Sequence, residues 1–238
     1  MKQNKQSQQQ GFTLIELAIV LFVVGLLLGG FLAPLANKIE FENRVETQLA
    51  LEEIKDILLG FAMESGYLPC PDTDNDGVED LVTAVSGAPG LTCASETGRL
   101  PSITLGVNGE DAWDNPYIYR VDDEFADRSD PPNTDGKSSD SCAPTANISF
   151  SLCSLGNITV LDGNAGNTIA NNIPVLIVSE GKNFTETPST DEAENVDGDA
   201  VFVQRNYSAN DTNAFDDIIV WISPHILRNR MVEAGILP

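Results

Sequence analysis

The chain has 238 residues, with Lys+Arg 13 against Asp+Glu 36 and a formal charge of −23. Such an excess of acid excludes a nucleic-acid binder, because neutralising phosphates requires clustered Lys and Arg. Hydrophobic content of 42% with 10 Phe and 2 Trp excludes wholesale disorder, and the length suits one compact domain plus an accessory segment. The acid is concentrated late: residues 65–238 hold 28 acids and 8 bases, so the larger part of the chain reads as a soluble acidic head.

The first residues, MKQNKQSQQQG, carry Lys2 and Lys5 and no acid. From Leu17 to Leu35 no side chain is polar, and a helix begun at Phe12 would reach roughly 36 Å at 1.5 Å per residue, enough to cross the hydrocarbon layer. The two lysines hold the leader in the cytoplasm and send everything after Leu35 outward. A cleavable secretory signal is the alternative, but its apolar core would be shorter and end in a small-residue site, which Ala33-Pro34-Leu35-Ala36 supplies poorly. Gly25, Gly29, Gly30 and Pro34 leave the span able to bend, and the same small residues suit close helix packing.

Neither reading explains Glu16, an acid near the start of the apolar helix. Insertion of an acid costs about 2.5–3.5 kcal/mol at a helix centre and less near an end, so it requires a partner. A cut between Gly11 and Phe12 would create one, the α-ammonium of Phe12. In a bundle of parallel copies, Glu16 of one subunit would meet that ammonium on its neighbour, each offsetting the other's desolvation.

Gly11-Phe12-Thr13-Leu14-Ile15-Glu16-Leu17, between a basic leader and an uncharged span, resembles the signal of type IV pilins and type II secretion pseudopilins. The resemblance implies that a prepilin peptidase cuts after Gly11 and methylates Phe12, and that Glu16 guides docking. It implies further partners, namely other pilin or pseudopilin subunits and an inner-membrane assembly platform. The implied location is the bacterial inner membrane, single-pass with a periplasmic head, and then the pilus or pseudopilus.

Residues 36–64 continue the helix in mixed pattern. Leu51, Ile54, Leu58 and Phe61 recur at spacings of three and four, while Glu52, Glu53, Lys55 and Asp56 fall elsewhere on the wheel, predicting a stripe that carries the head. The expected division is a leader 1–11, a transmembrane or filament-core helix 12–35, an amphipathic continuation 36–64 and a β-rich head 65–238.

In the head, strands are expected at Tyr117–Val121, Ile148–Leu152, Ile158–Leu161, Pro174–Ser179, Val201–Tyr207 and Asp217–Ile222, with turns at Asp162-Gly163 and Asp197-Gly198 and a closing helix over His225–Ala234. The fold class is therefore α+β, an antiparallel sheet laid on a long helix. Cys70, Cys93, Cys142 and Cys153 suggest two disulfides in an oxidising compartment, and sequence-local pairing of Cys70 with Cys93 and Cys142 with Cys153 is expected among three possible connectivities. Their spacing does not suit zinc.

Asp72, Asp74 and Asp76, followed by Gly77, match the opening of a calcium loop, with Glu79 or Asp80 required to close the shell because Thr83 stands at the twelfth position. An ion-free acidic turn is the alternative; mutual repulsion of the carboxylates favours Ca²⁺. The acidic run Asp191–Asp199 lacks that spacing and reads as a solvated loop. Asp111-Ala112-Trp113-Asp114-Asn115-Pro116-Tyr117 resembles a segment of major pseudopilin heads, with Asp114 where those have glycine. Catalysis gains no support: the single histidine, His225, has no nucleophile turn beside it, and free thiols are not expected outside the cytoplasm.

The function expected is a structural filament subunit. A head larger than a major subunit needs, with long loops that hinder dense packing, points to a minor pilin or pseudopilin. The alternative is a filament-tip adhesive or substrate-binding module with a calcium-ordered head.

Overall fold

A computed structural model describes residues 13–83, 91–128, 148–184, 187–209 and 213–237, with the side chains of residues 28–36 outside the description. The chain divides into two units, Met1–Asn43 and Arg44–Pro238. One helix, α1 (Leu14–Ser65), contributes to both.

In the first unit α1 carries exposed apolar side chains from Leu14 to Leu27, and Lys38 pairs with Glu42 at 3.4 Å one turn away. Among the described residues no helix is long and apolar enough to cross a membrane. Of the expected span, the side chains of residues 28–35 lie outside the description.

The second unit begins on the amphipathic part of α1. Leu51, Ile54 and Leu58 are buried at 0–3% exposure, and Glu52, Glu53 and Asp56 face out. The stripe continues through Leu59 and Ala62 rather than Phe61. Phe61 is only half-buried and meets Tyr67 edge-on at 5.9 Å, because α1 ends at Ser65 and the chain reverses at Gly66, whose φ is +83°.

Next come β1 (Leu81–Thr83), β2 (Leu91–Cys93), β3 (Thr97–Arg99), α2 (Ser102–Leu105), β4 (Ile118–Val121), α3 (Asp123–Ala126), β5 (Ile158–Leu161), β6 (Thr168–Ile173) and β7 (Val175–Ser179). A 3-10 turn at Gly181–Asn183, α4 (Thr190–Glu194), β8 (Val201–Val203), β9 (Ile218–Ile222) and α5 (Pro224–Glu233) follow, with Gly235 closing α5 at φ +71°. The central sheet has the order β3-β4-β7-β9, antiparallel throughout. A second sheet has the order β6-β5-β8, and β1 pairs with β2.

Period-2 alternation lets the central sheet serve two cores. Val175 and Ile177 of β7, with Val220 and Ile222 of β9, join the core containing α1 and the α5 residues Leu227 and Met231. Leu176, Val178 and Ile219 point the other way and pack with Ile158, Val160 and Phe202 of the second sheet. A strand buried on both faces reads as an unbroken apolar run, as VLIVS does.

Three expectations need correction. Ile148–Leu152 is not a strand: Phe150 is buried against Phe125 at 4.9 Å, while Ser154 Oγ accepts from the Ser151 N–H and Ser151 Oγ from the Cys153 N–H, competing with a ladder. The strand expected over Val201–Tyr207 stops at Val203, beyond which Arg205 pairs with Asp191 at 3.0 Å and lies over the Phe215 ring. One pairing, β5 with β8, is parallel, which the long intervening crossover permits.

Candidate functional site

Gly11 and Phe12 lie outside the described residues. Thr13 precedes α1, and its Oγ1 accepts a hydrogen bond from the Glu16 backbone N–H at 3.3 Å. Thr13 thus caps the helix and Glu16 occupies the third helical position, the spacing of a capping box. Sequence reasoning missed this local role, although T-x-x-E is its signal. Glu16 lies in the first turn of α1 with its side chain exposed, where a carboxylate also complements the positive end of the helix dipole.

The second candidate is the acidic loop after Cys70. Asp72, 2% exposed, organises it: Oδ1 accepts from the N–H groups of Asp74 at 3.1 Å and Asn75 at 2.7 Å, and Oδ2 from Gly77 at 2.8 Å. Two left-handed residues, Asn75 at φ +67° and Gly77 at φ +82°, make the turn, and a Cβ on Gly77 would come within 2.9 Å of Ile103. Oxygens of Asp72, Asp74 and Asp80 lie within 4.8 Å of one another. Desolvation, with the charges of Asp76, Asp80 and Asp72, raises the Asp74 pKa, whereas hydrogen bonds from Thr73 lower that of Asp80.

The structure separates the other two expected ligands from this group. Asp76 Oδ1 accepts from Val78 N–H at 2.8 Å, and Glu79 turns inward to accept from Cys70 N–H at 3.1 Å and pair with Arg128. Asp80 is therefore the residue placed to complete the group. The loop is pinned by the Cys70–Cys93 disulfide and by the bridge between Asp72 and Arg99. Cys153 is also disulfide-bonded, whereas Cys142 lies outside the described residues.

A third group was not foreseen. Glu192, Asp216 and Asp217 are 3%, 7% and 6% exposed, and their oxygens converge within 4.8 Å. The run Asp191–Asp199 is thus not simply a solvated loop. Glu192 belongs to α4, where a capping box with Ser189 fixes it, and Asn195 buries its amide between Val203 and Asp217. Asp216 and Asp217 precede β9, and Gly181 at φ +65° lets the backbone approach Asp216, where a Cβ would come within 2.8 Å.

Asp216 Oδ2 accepts from the N–H groups of Lys182 at 2.9 Å and Asn183 at 3.3 Å, while its Oδ1 has no hydrogen-bond partner. Asp217 Oδ2 accepts from Asn195 Nδ2 at 2.6 Å. Burial, reinforced by neighbouring carboxylates, pushes Asp216 up to about 6 and Asp217 up to about 8. Carboxylates this close and this buried repel one another unless a proton or a cation intervenes. Only their separation in sequence hid them, since residue 192 lies far from residues 216 and 217.

The segment around Trp113 is structural. Asp114 has φ +62°, so the backbone there requires the conformation that glycine supplies most easily, while Asp111 Oδ1 accepts from the N–H groups of Trp113 and Asn115. Tyr117 and Tyr119 are buried, and the Tyr119 hydroxyl donates to the Pro69 carbonyl at 2.9 Å.

Residues 6–32 match the model of the prokaryotic N-terminal methylation motif, the prepilin-type signal of type IV pilins and pseudopilins. This motif marks a structural subunit of pilin-like type rather than an enzyme family, and it fits a membrane-anchored protein. It implies processing by prepilin peptidase and assembly with other pilins. The α+β architecture, a long N-terminal helix followed by mostly antiparallel sheets, is consistent with a pilin-like fold. No curated protein and no solved structure matches the chain.

Proposed function

We propose that the chain is a minor subunit of a type IV pilus or type II secretion pseudopilus. It is made as a single-pass inner-membrane precursor with a cytoplasmic leader, cut between Gly11 and Phe12, methylated on Phe12 and assembled through its N-terminal helix. The observation that carries this reading is the methylation motif at residues 6–32, which contains both the cut and Glu16. The uncharged run Leu17–Leu35 serves first as the membrane span and then as filament core. Glu16 pairs across subunits with the new α-ammonium, so that processing and docking register are one electrostatic event.

Mass spectrometry of the protein recovered from cells with an active processing enzyme tests this directly. A chain that begins at Phe12 and carries one added methyl group is expected. Recovery of intact unmodified Met1 under those conditions overturns the reading.

A second reading, a filament-tip binding module with a cation-ordered head, is favoured by the convergence of Asp72, Asp74 and Asp80 beside a disulfide. Copy number in purified filaments separates the positions within the assembly. A tip or minor role predicts few copies at ends, and even spacing along the shaft argues against both.

A further inference from the structure

Between the end of β6 and the start of α5 lies a cavity of about 210 Å³, lined by Trp221, Asn171, Asn172, Ser223, His225 and Arg228 among others. None of the described residues lining it is acidic, although the head carries 28 acids. The chain's single histidine and one of its few arginines both lie here. Ligand sites combine an apolar wall with a few convergent polar groups, and this cavity has that composition.

We propose that this cavity binds one sugar ring bearing a carboxylate, a uronic-type unit of an acidic glycan. The volume is below the roughly 300–1,000 Å³ of drug-sized sites and suits a single ring. The partly buried indole of Trp221 supplies an apolar surface for the C–H face of a pyranose. Asn171, Asn172 and Ser223 supply donors and acceptors that can replace water on the ring hydroxyls.

The carboxylate is assigned to Arg228. Its Nη2 donates to the Ser154 carbonyl, which anchors the guanidinium; its Nε is buried, and the half-buried side chain lines the cavity. A planar, permanently charged guanidinium suits a carboxylate, and His225 adds a second nitrogen-bearing group. The charge of Glu124 reaches Arg228, but no described lining residue is a carboxylate, and in so acidic a head an anion is admitted where a cation lines the wall and carboxylates do not, which favours an acidic ring here over a neutral one. This site does not depend on which filament the chain enters.

The test uses the mature full-length protein in detergent micelles, with saturation-transfer NMR and titration calorimetry against methyl glucuronide, methyl glucoside and a short N-acetylated peptide without charged side chains whose C-terminal carboxylate is free. The uronate should bind at least tenfold more tightly than the glucoside, with ring protons showing the transfer. Arg228→Gln should remove that preference. Because Arg228 also holds Ser154, Asn171→Asp provides a second variant: it places a like charge on the exposed end of β6 and should abolish uronate binding with the melting temperature unchanged. Equal binding of uronate and glucoside, preference for the peptide, absence of binding to all three, or full uronate binding by Asn171→Asp would each overturn the proposal.

Discussion

Asp217→Asn is the most direct probe of the buried carboxylates. The folded pKa of Asp217 is pushed up to about 8 from its ordinary 3.8, and burial is the first cause. Because the folded value is raised, the protonated form stabilises the head: that stability is complete below about pH 4 and is lost as pH rises through 6, where Asp216 titrates, towards 8. One unit corresponds to about 1.4 kcal/mol, so ionising Asp217 alone has a ceiling of about 6 kcal/mol. Asp217 is coupled to Asp216 through their charges, and a single substitution should recover about 2–3 kcal/mol of it. Asparagine keeps the size, and its amide oxygen can still accept from Asn195 Nδ2, now at 2.6 Å from Asp217.

The assay is thermal unfolding of the mature chain in micelles with a chelator, from pH 5 to pH 9. Wild type should lose stability over this range, and the variant should unfold about 5–10 °C higher at pH 8.5 while matching wild type more closely at pH 5. Adding Ca²⁺ at pH 8.5 should raise the melting temperature of wild type by more than that of the variant, since a cation can stand in for protons at the buried group only when its carboxylates remain. A flat wild-type profile in chelator, or a variant less stable at pH 8.5, would refute the account of three acids competing in one buried space.

Three further outcomes are expected. Glu16→Val should insert in the membrane but fail to enter filaments, seen by immunoblotting membrane and sheared-filament fractions; normal incorporation counts against docking through Glu16. Asp74→Ala should remove the part of the Ca²⁺-induced rise in melting temperature that belongs to the loop after Cys70, measured in the Asp217→Asn background so that the buried group is silent; no rise in that background before the change returns the loop to an ion-free turn. Cys93→Ser should cost about 3 kcal/mol in urea unfolding, from the entropy of a loop whose ends are 23 residues apart, and a loss under 1 kcal/mol would show that the loop is ordered without the bond.

Much of the first unit's meaning was legible in sequence because its physics is local. A run of apolar residues, a leader without acid and a carboxylate at one helical position are properties of neighbouring residues, and the methylation motif is read from the same few positions. The strands of VLIVS and IIVWI were equally plain, since burial on both faces leaves no polar interruption. Short polar strands such as TGR and LTC had no such signal, because their neighbours rather than their own side chains order them. Ile148–Leu152 failed for the complementary reason: its alternating pattern was satisfied by serine hydroxyls and one buried phenylalanine.

The sequence by itself determined the methylation motif, the α+β class and the acidic loop after Cys70, each written in contiguous residues. Only the tertiary structure decided that Glu79 turns away to Arg128 and that Asp80 stays with Asp72 and Asp74. Only the fold, likewise, brought Glu192 to Asp216 and Asp217 and formed the cavity between β6 and α5, none of whose described lining residues is acidic. Side-chain chemistry is carried by each residue alone, but burial and convergence depend on chain segments far apart in sequence, so carboxylates that look equally solvated on paper end in opposite environments.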